Sequence, residues 1–82
     1  MDWIVYILEC KDKTLYTGIT NNLDARLESH IAGTGAKYTR SRDPFIVKYT
    51  ETFPDRAQAS IREYAIKRMS RQDKIALIAH AQ

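Results

Sequence analysis

The hydrophobic pattern of the chain begins with a continuous apolar run at residues 3–8. A strand that is apolar on both faces is typical of the centre of a sheet, so we predict a central strand here. Two further strand-like runs follow at residues 15–20 and 45–53. In the last of these the odd positions are mostly apolar and the even positions mixed, which predicts a strand with one partly exposed face.

The connection between the first two strands decides which of their side chains share a face. Lys11-Asp12-Lys13 contains no Asn-Gly or Asp-Gly pair, which favours a three-residue loop over a two-residue one. With three residues, Tyr6 opposes Gly18, and Tyr6 and Tyr16 lie on the same face; a two-residue loop would separate the tyrosines. We expect Gly18 to leave open space beside the phenol, as a substrate pocket requires.

Three helices are predicted from caps and periodicity. Asn21-Asn22 precede the first helix and Gly33 ends it, while Asp55 and Ser70 begin the second and third. The positions expected to face the core are Leu23, Leu27 and Ile31 in the first helix, Ala57, Ile61, Tyr64, Ala65 and Met69 in the second, and Ile75 and Ile78 in the third.

The order strand, strand, helix, strand, helix, helix predicts an α+β fold. We expect a small three-stranded, mainly antiparallel sheet with helices packed on it. A chain of 82 residues, 44% of them hydrophobic, is predicted to fold as one globular domain over residues 1–82.

The basic excess is confined to the last third of the chain. Residues 1–53 carry seven Lys/Arg and seven Asp/Glu, whereas residues 54–82 carry six and three, which accounts for the net charge of +3. A polyanion partner is one interpretation, and an ordinary solvated basic surface is the other. Charge alone favours the solvated surface.

Cysteine use and hydropathy indicate the compartment. Cys10 is the only cysteine, which excludes an internal disulfide and suits a reducing environment. The sequence shows no signal-like segment and no apolar run long enough to cross a bilayer. We therefore expect a cytoplasmic protein with no membrane partner.

Five residues form a candidate catalytic set: Tyr6, Tyr16, Arg26, His30 and Glu63. Arg26 and His30 are one helical turn apart, and Glu63 lies within a basic helical stretch. Tyrosine, arginine, histidine and a lone carboxylate suit metal-assisted phosphodiester chemistry. Each also has a structural reading, since strand tyrosines commonly pack, a histidine at a helix end suits the dipole, and the acid could pair with a lysine one turn later.

The same residues carry a resemblance to the GIY-YIG nuclease domain. Ile4-Val5-Tyr6 and Tyr16-Thr17-Gly18 stand where that family has its two triplets, followed by its helical Arg26 and His30 and its acid Glu63. The resemblance covers essentially the whole chain and is greatest with small, stand-alone bacterial members. The first triplet departs from the family name at two positions, but its only chemically active residue, the tyrosine, is kept.

The resemblance implies hydrolysis of a DNA phosphodiester bond with one Mg²⁺ or Mn²⁺ bound by Glu63. Tyr16 would be the general base for the attacking water, and Tyr6 would help to position that water. Arg26 would stabilise charge at phosphorus, and His30 would bond the phosphate or orient Tyr16.

A basic segment after the first helix is the candidate nucleic-acid contact, with a mobile basic loop as the alternative. Its members and one helical lysine form the expected binding set: Lys37, Tyr38, Arg40, Arg42 and Lys67.

We expect a monomer that acts on DNA, with RNA left open, in DNA repair and with a protein partner that supplies specificity. Two other functions stay open: a nucleic-acid-binding or partner-docking module with little catalysis, and a structural or oligomerisation domain.

Overall fold

The computed structural model describes residues 2–35, 39, 40 and 42–81 of the chain. The three strands form one antiparallel sheet in the order β2-β1-β3. The predicted α+β fold, the element order and the central position of the first strand are confirmed. In chain order the elements are β1 (Trp3–Glu9), β2 (Leu15–Thr20), α1 (Leu23–Ala32), β3 (Ile46–Phe53), α2 (Arg56–Lys67) and α3 (Arg71–His80).

The central strand β1 contributes side chains to the hydrophobic core on one face of the sheet and buries further side chains on the opposite face. Residues 5–8 are fully buried. Because successive strand side chains point to opposite faces, Val5 and Ile7 share one face while Tyr6 and Leu8 share the other. The core cluster consists of Val5, Ile7, Ala59, Ile66 and Ile78, so helices α2 and α3 cover the Val5–Ile7 side.

The β1–β2 hairpin has the predicted three-residue loop. The Cys10 amide donates to the Thr14 carbonyl at 2.9 Å. Lys13 adopts a φ of 70°, and this left-handed residue closes the loop without a glycine. Tyr6 consequently pairs with Gly18 and Leu8 with Tyr16, which places both tyrosines on one face.

Strand β3 contains a bulge, and an ion pair connects the strand to α2. Its register against β1 shifts between Ile7 and Leu8, so that Lys48 is an extra residue. Beyond the shift, Glu51 accepts hydrogen bonds from the Tyr49 hydroxyl and from Arg62 Nε, the latter at 2.9 Å. This half-buried ion pair joins the outer strand to the helix.

The caps of α1 are those predicted, but its inward face is not. The Ala25 amide donates to Asn22 Oδ1 at 3.2 Å, and Gly33 ends the helix with a φ of 78°. Ile31 is 63% exposed, whereas His30 is the buried residue of the helix. The predicted stripe is therefore wrong at Ile31, because the helix turns a polar side chain inward.

The buried face of α2 also differs from the prediction, although Asp55 caps the helix as expected. Ile61 is 72% exposed and Tyr64 is 64% exposed, and Ala57 and Ala65 are exposed as well. The buried residues are Ala59 and Ile66, and the half-buried Glu63 lies between them at helical spacing. Among the predicted positions, Met69 just beyond the helix packs against the core cluster, whereas Ile61 and Tyr64 face solvent.

Helix α3 begins at the predicted cap, where Ser70 Oγ accepts from the Asp73 amide at 3.1 Å. Ile78 is buried, but Ile75 is 48% exposed, so only part of the expected face is covered. None of the helices in the described ranges combines the length and the hydropathy that a bilayer crossing requires.

Candidate active site

Two phenol rings lie side by side on the sheet face opposite the core cluster. The ring centroids of Tyr6 and Tyr16 are 6.3 Å apart. Tyr6 is fully buried, whereas Tyr16 is only half-buried. The hairpin register brings the rings together, as the sequence predicted, and their unequal exposure gives them different chemical surroundings.

The absence of a side chain at Gly18 makes room for the Tyr6 phenol. A Cβ atom at residue 18 would lie 2.5 Å from Tyr6 Oη, 2.7 Å from Tyr6 Cζ and 3.2 Å from Tyr16 Cε2. The expectation of open space beside the phenol is therefore wrong, because the phenol itself fills that space. Glycine is required here for the close approach of two side chains.

Helix α1 brings a guanidinium to both phenols. The Arg26 side chain interacts electrostatically with both Tyr6 and Tyr16, and its interaction with Tyr6 is the main cause that raises the pKa of the guanidinium. The helix then places His30 one turn further on, on the same side. The predicted juxtaposition of these four residues is thus present in the structure.

His30 connects the tyrosines to the segment that follows α1. Its Nε2 lies 3.0 Å from Tyr6 Oη, and its Nδ1 lies 2.7 Å from Thr39 Oγ1. The ring is edge-on to Tyr16, at 5.4 Å between centroids, and to Phe45, at 5.9 Å. Burial, and then the positive charge of Arg26, lower the pKa of His30, which favours the neutral imidazole at pH 7.

The buried phenol is held in its protonated form. Burial is the main cause that raises the pKa of Tyr6, and the charges of Tyr16 and Glu63 act in the same direction. The hydrogen bond from Arg26 opposes this shift without cancelling it. Tyr6 is therefore better suited to donate a hydrogen bond than to accept a proton.

The carboxylate expected to bind metal comes from α2. Glu63 Oε2 lies 3.3 Å from Lys67 Nζ, and the Glu63 side chain is 22% exposed. The alternative pairing with a lysine one turn later is thus observed. Among the described residues, no three His, Cys, Asp or Glu side chains are grouped closely enough to hold a metal ion together.

The expected nucleic-acid contacts are dispersed. Lys37 and Tyr38 lie outside the described residues, and Arg40 is exposed. Arg42 forms an ion pair with Asp12 of the hairpin loop, and Lys67 forms the ion pair with Glu63 described above. Two of the five expected contacts therefore have intramolecular carboxylate partners.

The sequence did not single out Thr39 or Phe45, both of which contact His30. The only signal was that Thr39 belongs to the segment of residues 35–40, which is typical of the small members of the family. The Asp12–Arg42 ion pair spans 30 positions in sequence and has no local signature.

A small α+β chain that gathers two phenols, a guanidinium and an imidazole beside the sheet has the arrangement of a nuclease-type catalytic domain. Residues 2–76 match the model of the GIY-YIG catalytic domain, so the chain belongs to the GIY-YIG family. Domains of this family are usually nucleases and generally use a divalent metal, which implies a nucleic-acid substrate.

The relatives and solved structures are small proteins of similar length. A UPF0213 protein of Staphylococcus haemolyticus is 51% identical over 74 residues, which is 90% of each chain. One from Halobacterium salinarum is 49% identical over 73 residues, 89% of this chain and 95% of the relative.

Two solution NMR structures share the fold. The UPF0213 protein of Bacillus halodurans is 47% identical and has a TM-score of 0.63, covering 96% of this chain and 84% of that one. A protein of E. faecalis is 35% identical and has a TM-score of 0.66, covering 100% of this chain and 90% of that one.

Proposed function

We propose that the chain is a divalent-metal-dependent endonuclease that hydrolyses DNA phosphodiester bonds. The observation that carries the proposal is the Arg26 guanidinium, which interacts with both phenols of the tyrosine pair. A guanidinium at this position can bind a phosphate oxygen and stabilise the negative charge that develops at phosphorus. The family membership supports the same reaction class.

The two tyrosines have different roles in this proposal. Tyr16 is the general base, because its ring is only half-buried and the Arg26 guanidinium interacts with it. Tyr6 keeps its proton and orients the site through His30. The difference in burial between the two phenols supports the choice of Tyr16 as the base.

Glu63 is the proposed metal ligand. Mg²⁺ and Mn²⁺ accept carboxylate oxygens, and Mg²⁺ retains several of its waters, so one half-buried carboxylate is a chemically sufficient protein ligand. Lys67 forms an ion pair with this carboxylate, and that ion pair would have to break for a metal ion to bind. When bound, the ion would act as a Lewis acid on the phosphate and lower the pKa of a coordinated water.

The proposal is tested with labelled single-stranded, duplex and branched DNA, and matching RNA, in the presence of Mg²⁺ or Mn²⁺. The variants are Glu63→Gln and Glu28→Gln, which remove the same charge, the latter at an exposed position of α1. We expect cleavage by the wild type and Glu28→Gln, and loss of cleavage in a folded Glu63→Gln.

Cleavage by Glu63→Gln at the wild-type rate would refute the metal assignment. A wild type that binds DNA in a salt-dependent manner but cuts none of the substrates would instead support the nucleic-acid-binding module.

A further inference from the structure

A threonine outside the five-residue catalytic set contacts the catalytic histidine. Thr39 Oγ1 lies 2.7 Å from His30 Nδ1, and each of the two residues is 1% exposed. Because a threonine hydroxyl can both donate and accept, the other hydrogen bond of the ring decides which His30 nitrogen carries the proton.

The direction of the hydrogen bonds follows from what each partner can donate. Arg26 has only donors and its side chain interacts with Tyr6, so a donor faces the Tyr6 oxygen and the Tyr6 proton points elsewhere. The partner at hydrogen-bonding distance is His30 Nε2, at 3.0 Å, which therefore accepts. In a neutral ring the proton then resides on Nδ1 and is donated to Thr39 Oγ1.

Two backbone hydrogen bonds in sequence connect Thr39 to the hairpin loop. The Arg42 amide donates to the Thr39 carbonyl at 3.1 Å, and the Lys11 amide of the hairpin loop donates to the Arg42 carbonyl at 2.8 Å. The Asp12–Arg42 ion pair joins the same two segments. The hairpin that carries the tyrosines therefore also anchors the turn that carries the threonine.

Gly35 leaves the room that this arrangement needs. A Cβ atom at residue 35 would lie 2.6 Å from His30 Nδ1 and 3.1 Å from His30 Cε1. The imidazole is thus enclosed by backbone on this side and by Phe45 on another, which prevents it from rotating away from Thr39.

We propose that Thr39 is a positioning residue of the site: its hydroxyl accepts the Nδ1 proton of His30 and so stabilises the tautomer whose Nε2 accepts a hydrogen bond from Tyr6. This proposal deepens, and rests on, the proposed nuclease function. In this tautomer the Tyr6 hydroxyl donates its hydrogen bond to His30 Nε2, and the lone pairs of the same oxygen face Arg26. Without the threonine hydroxyl, the Nδ1 proton of His30 would lose its acceptor and the ring would carry its proton on Nε2 instead. Nε2 would then no longer accept the hydrogen bond from Tyr6.

The test compares Thr39→Val, which is nearly isosteric but lacks the hydroxyl, with Thr39→Ser, which keeps it. The histidine tautomer is read from ring ¹⁵N chemical shifts in long-range ¹H–¹⁵N NMR spectra. The chain has 2 histidines, and the exposed His80 is an internal reference in every spectrum. We expect an Nδ1-protonated His30 in the wild type and in Thr39→Ser, and a shift toward Nε2 protonation in Thr39→Val.

The same samples are assayed for DNA cleavage. We expect kcat of Thr39→Val to fall about 10- to 100-fold with KM little changed, the range typical of residues that orient a catalytic or ligating histidine. Thr39→Ser should restore most of kcat. A merely structural role would lower stability in Thr39→Val without moving the tautomer.

Two results would overturn the proposal: an Nε2-protonated His30 in the wild type, or a Thr39→Val protein whose tautomer or cleavage rate is unchanged. A wild type that cleaves no DNA would refute the nuclease function separately. In that case the NMR spectra would still decide whether Thr39 selects the tautomer.

Discussion

The Tyr6 hydroxyl occupies the space that a side chain at Gly18 would need, with 2.5 Å between its oxygen and the position of the missing Cβ. Because Tyr6 is fully buried, its ring cannot swing into solvent when a methyl group is added. We expect Gly18→Ala to lower the free energy of unfolding by about 1–3 kcal/mol and to abolish DNA cleavage.

Urea unfolding and the cleavage assay check this prediction. Gly33→Ala is the matched control: its φ of 78° makes alanine costly, but no atom lies within 4 Å of the added Cβ. It should therefore lose stability and keep cleavage. Gly18→Ala combined with Tyr6→Leu, which removes both clashing atoms, should be more stable than the sum of the two single changes predicts, and strict additivity would contradict the steric explanation.

Removal of the two hydroxyls should have different effects on stability. Tyr6→Phe leaves the buried His30 Nε2 without its donor, which should cost about 1–3 kcal/mol of unfolding free energy. Tyr16 is half-buried, so Tyr16→Phe should cost less than about 1 kcal/mol.

Both tyrosine variants should reduce kcat by at least about 100-fold, because one lacks the base and the other the group that orients it. Tyr64→Phe, on the exposed face of α2, is the control for both measurements. Equal stability losses at the two positions would argue against the different roles assigned to Tyr6 and Tyr16.

Protonation of His30 should destabilise the fold at mildly acidic pH. The pKa of the folded-state imidazole is lowered by burial and by the positive charge of Arg26, while the neighbouring Tyr6 phenol, whose pKa is raised, stays neutral in this range. Below the unfolded value of about 6.5 the unfolded chain binds a proton that the folded chain does not, so stability falls as pH decreases through the folded pKa.

Unfolding free energies measured between pH 7 and pH 5 check this sign. The wild type should lose stability by up to about 1.4 kcal/mol per pH unit from this single group. His30→Gln should show a flatter profile, whereas His80→Gln, at an exposed site, should follow the wild type. A wild type that gains stability toward pH 5 would contradict the lowered pKa.

The Lys67–Glu63 ion pair should compete with the metal. Half-exposed pairs of this kind contribute up to about 1 kcal/mol, which corresponds to roughly a fivefold change in affinity. Lys67→Gln should therefore lower the Mn²⁺ concentration required for half-maximal cleavage by about two- to fivefold. Lys74→Gln removes the same charge from α3 and should leave the metal dependence unchanged; equal effects of the two variants would indicate a general electrostatic effect.

Local signals in the sequence were sufficient for the hairpin and the caps. The composition of the loop at residues 11–13 predicted the register that pairs Tyr6 with Gly18, and side-chain oxygens at Asn22, Asp55 and Ser70 cap the helices as expected. These features depend on residues within a few positions of each other, and therefore leave a readable pattern.

The errors at Ile31 of α1 and at Ile61 of α2 share one reason. Each helix packs through a face that carries a polar residue of the candidate site, His30 in α1 and Glu63 in α2, while Ile31 and Ile61 face solvent. Hydrophobic periodicity assigns such polar positions to the surface. Thr39 was missed because its contact with His30 depends on how a loop returns to the sheet, which no periodicity encodes.

Strand β1 is paired along its length on both sides, and its residues 5–8 are inaccessible to solvent. Amide protons in such a strand exchange only when the whole domain opens. Tyr6 is one of these residues, so the geometry around its phenol should persist in every partially opened state and vanish only on global unfolding. In the proposed nuclease function, Tyr6 is therefore a rigid and preformed part of the site.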